Sequence, residues 1–143
     1  MSQQPVRTEK SNPMRWDCSA QGCFNQKKRP KIDEFAECFP GRIAMGDVDA
    51  IVELGGCLCI LEFKDPGARV PLGQEIMGKA ITSGLPGSIY VFVGADVESN
   101  PMIVRRVRVI EDGSAQDWAS CDLSGLKAML RGWARQVRPT RRA

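Results

Sequence analysis

Four ionisable residues flank a Gly-Gly pair in the middle of the chain: Asp47 and Asp49 before it, Glu62 and Lys64 after it. Gly55-Gly56 separates two strand-like apolar runs, and such a link tolerates the positive φ angles of a tight hairpin turn. In a hairpin with this turn, facing positions sum to 111, so Asp49 faces Glu62. Asp47 faces Lys64 in the same register. Facing residues share one side of a sheet with β-carbons about 5 Å apart, so the open end of the hairpin gathers all four side chains.

These side chains predict a site for a hard divalent cation. Facing carboxylates repel each other unless a cation lies between them. Oxygen ligands in a chain without histidine favour Mg²⁺, or Mn²⁺, held partly by waters. A metal beside a lysine is suited to phosphodiester hydrolysis, because the metal polarises the phosphate and activates water while the lysine offsets developing charge. The alternative is an Asp47–Lys64 ion pair at a sheet end, with Asp49 and Glu62 solvated.

The pattern Gly46-Asp47-Val48-Asp49, a short hairpin and then Glu62-Phe63-Lys64 resembles the PD-(D/E)XK nuclease superfamily over roughly residues 31–94. The resemblance implies a restriction-endonuclease-like αβββαβ core, metal ligation by Asp49 and Glu62, and a catalytic role for Lys64. Asp47 is counted with the metal ligands. The proline of the family's PD pair is absent, and the segment 16–29 has no counterpart in the family pattern.

Two further residues enter through the same resemblance. Gln74 opens the next predicted helix, as a glutamine does in the VRR-Nuc and Holliday-junction-resolvase-like branches, which implies a role for Gln74 in contacting the substrate or ordering the site. An acidic residue on the first helix often completes the site in this family. Asp33 is the first choice for that ligand, with Glu34 and Glu37 as alternatives. The general impression is of a small phage-type nuclease.

Periodicity and turn residues predict a mixed α/β fold, with a sheet of about four strands flanked by helices. The order lacks the regular alternation of a doubly wound fold. Apolar residues on both faces of the hairpin predict that both of its strands are covered. The predicted elements are a helix opened by Pro30 with Ile32, Phe35, Ala36 and Phe39 at helical spacing, strands 47–54 and 57–64, a helix over 72–83, strands 88–93 and 102–110, and a last helix capped by Asp122.

The chain of 143 residues fits one domain. Residues 1–14 are predicted to be a disordered leader, 15–138 a single nuclease domain, and 139–143 a basic tail. The leader has no apolar segment of the secretory kind, and no apolar run reaches bilayer length. We therefore expect no membrane partner and a cytoplasmic location, which includes the interior of a bacterial host.

Basic residues lie on both sides of the acidic centre although the formal net charge is only +3. This distribution favours a polyanionic partner. Ordinary solvated charge is the alternative, and for the last helix the two interpretations are nearly balanced. The predicted nucleic-acid contacts are Lys27, Lys28, Arg29, Arg131, Arg135 and Arg138, with Lys127 on the same helix face and a further cluster at Arg105, Arg106 and Arg108.

Six cysteines without histidine exclude Cys-His catalysis and any histidine-ligated metal. Cys18 and Cys23 have no second pair nearby to complete a zinc ribbon. Reduced, mostly buried thiols are therefore expected, and zinc is the less favoured alternative.

These features together predict a Mg²⁺-dependent DNA endonuclease that hydrolyses phosphodiester bonds, on branched or nicked DNA in phage-type recombination, repair or replication. A homodimer is compatible with this prediction. The alternative is a non-catalytic DNA-binding or inhibitory module on the same fold, with zinc bound by Cys18 and Cys23. The intact set Asp49, Glu62 and Lys64 favours the enzyme, because loss of activity usually removes one of the three.

Overall fold

The computed structural model describes residues 32–141, without the side chains of 138–141. The predicted leader 1–14 and the segment 15–31 lie outside the described residues. The chain divides into two units, residues 1–46 and 47–143. In the first unit, 3₁₀ helices span Ile32–Cys38 and Pro40–Arg42. The predicted first helix is therefore present in the tighter 3₁₀ form, which is common in short helical pieces.

A mixed sheet with helices on both faces forms the second unit, which confirms the predicted α/β class. Strands β1 and β2 pair antiparallel, β2 and β3 parallel, and β3 and β4 antiparallel. The path continues from β4 to β5, and β6 pairs with another part of β4 on the same edge as β5, away from β3. The elements are β1 (Ala50–Leu54), β2 (Cys57–Lys64), α1 (Leu72–Gly84), β3 (Ile89–Asp96), β4 (Ile103–Glu111), β5 (Ser114–Ala115), β6 (Ala119–Ser120) and α2 (Leu123–Arg141).

The Gly55-Gly56 hairpin has the predicted register, from Leu54 opposite Cys57 to Ala50 opposite Leu61. Both turn glycines have positive φ, as the tight turn requires. Strand β1 begins at Ala50, three residues later than the predicted start at Asp47. The expected direct pairing of Asp47 with Lys64 therefore lies beyond the end of the strand ladder.

Coverage of the hairpin differs between its two strands. Strand β2 lies inside the sheet and is largely buried, as predicted. Strand β1 is an edge strand, and Ile51 and Val52 remain 57% and 53% exposed. The prediction that both strands are covered is thus wrong for β1, because apolar residues on two faces of a strand do not distinguish a central position from an edge.

The two long helices pack on opposite faces of the sheet. Helix α2 begins at the predicted cap, where the Asp122 carboxylate accepts a hydrogen bond from Gly125 N at 2.7 Å. Its buried residues, with Trp133 among them, pack against Val91 and Val93 of β3. Residues of α1 cover the other face, where Tyr90 and its neighbours form a second buried cluster. The alternating side chains of β3 therefore separate two cores.

Within the described range 32–141, no helix is long and apolar enough to cross a membrane.

Candidate active site

Asp49 and Glu62 come together at the open end of the hairpin, as their register predicts. Asp49 lies immediately before β1, and its Oδ2 accepts a hydrogen bond from the backbone N–H of Phe63 at 2.8 Å. This contact anchors Asp49 to β2 after the backbone ladder has ended at Ala50. The carboxyl group of Glu62 is within hydrogen-bonding reach of Asp49. The hydrogen bond from Phe63 thus holds Asp49 beside Glu62, although β1 is shorter than predicted.

Glu62 is buried, with a relative exposure of 3%. Burial, followed by the negative charge of Asp49, raises the pKa of Glu62 from 4.5 to about 7. The hydrogen bond from Tyr90 and the positive charge of Lys64 act in the opposite direction. The buried Glu62 carboxyl and the half-buried Asp49 carboxylate make a fitting donor pair for a divalent cation, because a cation between them offsets their repulsion.

Lys64 ends β2 on the same face as Glu62, and its charge acts on that carboxyl. It pairs across the sheet with Gly94 of β3, which in turn pairs with Arg106 of β4. The predicted trio Asp49, Glu62 and Lys64 is therefore one physical group.

Arg106, on strand β4 of the sheet, contacts the loop between Lys64 and α1. The Arg106 guanidinium donates to Ala68 O at 3.2 Å and lies 3.9 Å from the centre of the Trp118 ring. A β-carbon at Gly94 would be 3.0 Å from Arg106 Cγ and 3.4 Å from Pro66 Cα, so a side chain there would crowd this crossing. Arg106 thus orders the segment that leads from Lys64 to Gln74.

The first turn of α1 lies over this face of the sheet. Glu75 forms an ion pair with Arg108 at 2.5 Å, and Arg108 pairs in the strand ladder with Phe92, the partner of Glu62. The neighbouring residue Gln74 has a buried side-chain oxygen, Oε1, without a hydrogen-bond partner among the described residues. An unsatisfied buried acceptor costs about 1–3 kcal/mol, which is consistent with the predicted role of Gln74 at a site that takes a ligand.

Tyr90 is a residue of the site that the sequence interpretation missed. Its side chain is fully buried, and its hydroxyl donates to Glu62 Oε1 at 3.1 Å. It lies in the apolar run Ile89–Val93, where a tyrosine is an ordinary core residue. The parallel pairing of β2 with β3 brings it to Glu62, and the distant pairing of strands separated by a helix leaves no local signal in the sequence.

The other predicted metal ligands have different positions. Asp47 is exposed and precedes β1; Asp33 is exposed on the 3₁₀ helix of the first unit. Within the described part of the chain, no three Asp, Glu or Cys side chains form a group that could hold a metal. Asp49 and Glu62 are thus not part of a three-residue group among these residues, and ligation by Asp47 or Asp33 remains a prediction.

The predicted basic row on α2 is on the other side of the sheet from Glu62. Lys127, Arg131 and Arg135 are exposed, as expected, while the apolar stripe of the helix is buried. The side chain of Arg138 and the whole of Lys27, Lys28 and Arg29 lie outside the described residues. Arg105 is exposed, whereas Arg106 and Arg108 are half-buried and make the contacts described above.

The described cysteines are free thiols. Cys57 and Cys59 are buried, as predicted, and burial raises the pKa of Cys59 to about 11. Cys121 is half-buried, and Cys38 is exposed. The candidate zinc ligands Cys18 and Cys23 lie outside the described residues.

No protein-family model matches the chain, and neither does any curated protein or solved structure.

Proposed function

We propose that the protein is a Mg²⁺-dependent DNA endonuclease whose site is formed by Asp49, Glu62 and Lys64. The observation that carries this proposal is the buried Glu62 carboxyl in contact with Asp49, with Lys64 on the same face. Such a carboxyl pair is unfavourable by itself and becomes favourable around a cation. Mg²⁺ needs only one or two protein carboxylates, because waters and substrate phosphate complete its coordination.

Each residue has a distinct task in this proposal. Asp49 and Glu62 would hold the cation, which would polarise the scissile phosphate and make a nearby water more acidic. Lys64 offsets the negative charge that develops on the phosphate. The buried oxygen of Gln74 accepts a hydrogen bond from water or substrate, which removes the penalty of its unpaired state.

The family assignment is part of the proposal. The hairpin, the crossover helix α1 and the parallel strand β3 support a PD-(D/E)XK-like core. The family core has three strands before the crossover helix, whereas residues 47–71 form two. Branched or nicked DNA is the proposed substrate, through the resemblance to resolvase-like nucleases, and Mn²⁺ is expected to replace Mg²⁺.

A non-catalytic DNA-binding or inhibitory module is the second candidate. The observation that favours it is the lack of a third acidic ligand beside Asp49 and Glu62 among the described residues. In this case the fold binds DNA without cutting it, and zinc at Cys18 and Cys23 would have a structural role.

The two candidates differ in a simple assay. Supercoiled, linear and branched DNA are incubated with purified protein in Mg²⁺, Mn²⁺ or EDTA, while gel shifts in Ca²⁺ measure binding. The nuclease predicts cleavage in Mg²⁺ and Mn²⁺ and none in EDTA. Binding without cleavage of any substrate in either metal would favour the non-catalytic module.

A further inference from the structure

Tyr90 forms a hydrogen bond with one of the two carboxylate oxygens of Glu62. The Tyr90 hydroxyl donates to Oε1 at 3.1 Å. Asp49 lies within reach of the same carboxyl group. A hydroxyl that holds one oxygen restricts rotation of the carboxylate, so the group keeps one orientation toward Asp49.

The residues packed around Tyr90 restrict the position of its hydroxyl. The ring is fully buried and lies 5.3 Å from the ring of Phe92, centre to centre. Above it, Gly78 of α1 comes so near that a β-carbon there would be 3.2 Å from Tyr90 Cγ. Ring, helix and neighbouring aromatic together leave the tyrosine little freedom, and only its hydroxyl meets a polar partner.

We infer that Tyr90 is a positioning residue that orients Glu62 for binding a divalent cation. The inference rests on the proposed function, and it adds a residue that does not touch the substrate. Groups that form a hydrogen bond with a metal-binding side chain, without contacting the metal, typically contribute about 10–100-fold to metal affinity or activity. Tyr90→Phe keeps the ring and removes only the hydroxyl, so it isolates this contribution.

The test is a Mn²⁺ titration in which electron paramagnetic resonance counts the free ion. We expect Tyr90→Phe to bind Mn²⁺ about 10-fold more weakly than the wild type, and high Mn²⁺ to restore most of the cleavage rate. The matched control is Thr82→Val, which removes another buried hydroxyl from the same side of the sheet. Thr82 is 1% exposed and bonds to Gly78 O and Gly113 N, away from Glu62. Thr82→Val should lower the melting temperature and leave Mn²⁺ affinity unchanged.

A second measurement leaves the Tyr90 hydroxyl in place. Tyr90 is the single tyrosine of the protein, so 3-fluorotyrosine gives one ¹⁹F resonance. That resonance should shift when Mg²⁺ is added to otherwise wild-type protein and should not respond in Glu62→Gln. This readout keeps the inference testable if Tyr90→Phe does not fold.

The results of these measurements distinguish a failure of the proposed role of Tyr90 from a failure of the proposed nuclease function. Wild-type Mn²⁺ affinity in folded Tyr90→Phe, or a ¹⁹F resonance that ignores a bound cation, overturns the role of Tyr90 alone. A wild-type protein that binds neither Mn²⁺ nor Mg²⁺ overturns both this role and the proposed function.

Discussion

The Glu62 carboxyl lies between groups that favour opposite protonation states. Burial and Asp49 favour its neutral form; the Tyr90 hydroxyl and Lys64 favour the carboxylate. The sum of these effects places its pKa at about 7 without a cation. A bound divalent cation favours the charged form, so cation binding at neutral pH should release protons from the protonated fraction of Glu62.

This balance predicts a pH dependence of stability in the cation-free protein. Glu62 titrates near 4.5 in the unfolded chain and at about 7 in the folded protein. The folded protein therefore binds more protons between these values, and stability falls as pH rises through this window. We expect this group to cost roughly 2–4 kcal/mol above pH 7.

Urea unfolding in EDTA at pH 4.5 and pH 8 measures this effect, with Glu62→Gln as reference because its amide does not titrate. The wild type should lose more free energy of unfolding over this range than the variant, and Mg²⁺ at pH 8 should restore part of the loss. An equal loss of unfolding free energy in the wild type and in Glu62→Gln would contradict the raised pKa of Glu62.

The hairpin and both long helices could be predicted from the sequence because their signals are local. Gly55-Gly56 determined the register, and Asp122 marked the start of α2. Strands β5 and β6, with two residues each, are too short to show a period. Tyr90 and Arg106 were not assigned to the site because their partners come from other strands and loops. The edge position of β1 likewise depends on the pairing of the whole sheet.

The close approach of α1 to the sheet predicts a different response of two helix glycines. Gly78→Ala would place a β-carbon 2.8 Å from Ile110 Cδ1 and 3.2 Å from Tyr90 Cγ, both in fully buried side chains. Overpacking costs about 1–3 kcal/mol, which exceeds the gain in helix propensity of about 1 kcal/mol. We expect a net loss of stability on the order of 1 kcal/mol.

Gly132→Ala in α2 is the control, since nothing lies within 4 Å of the added carbon. This variant should be stabilised by up to about 1 kcal/mol. Thermal unfolding measures the stability of both variants. A stabilised Gly78→Ala would show that α1 does not pack closely against Ile110 and Tyr90.

For the whole molecule, the sheet separates the basic row on α2 from the candidate site. DNA held by Lys127, Arg131 and Arg135 can reach Glu62 only around an edge of the sheet. We therefore expect the row to contribute to affinity without changing the cleavage step. Replacing the three residues with Gln should weaken binding to all sequences alike. It should also flatten the slope of log affinity against log salt by about one unit for each phosphate that the row no longer neutralises.

Binding titrations at several salt concentrations measure this slope, with Lys79→Gln, an exposed lysine on α1, as the control for removal of one positive charge. An unchanged slope in the triple variant would assign the row to solubility, and DNA would then have to bind elsewhere on the protein.

The proposed nuclease requires that Asp49, Glu62 and Lys64 form one metal-dependent hydrolytic site. The most direct measurement is single-turnover cleavage of a DNA substrate in Mg²⁺ by the wild type and by Asp49→Asn, Glu62→Gln and Lys64→Met. Glu111→Gln is the matched control, since Glu111 is an exposed carboxylate at the opposite end of β3, beside Ile89. The three site variants should lose about a thousandfold or more in rate, equivalent to several kcal/mol, while DNA binding in Ca²⁺ persists and Glu111→Gln cleaves normally. Cleavage at the wild-type rate by Glu62→Gln or Asp49→Asn would contradict the claim.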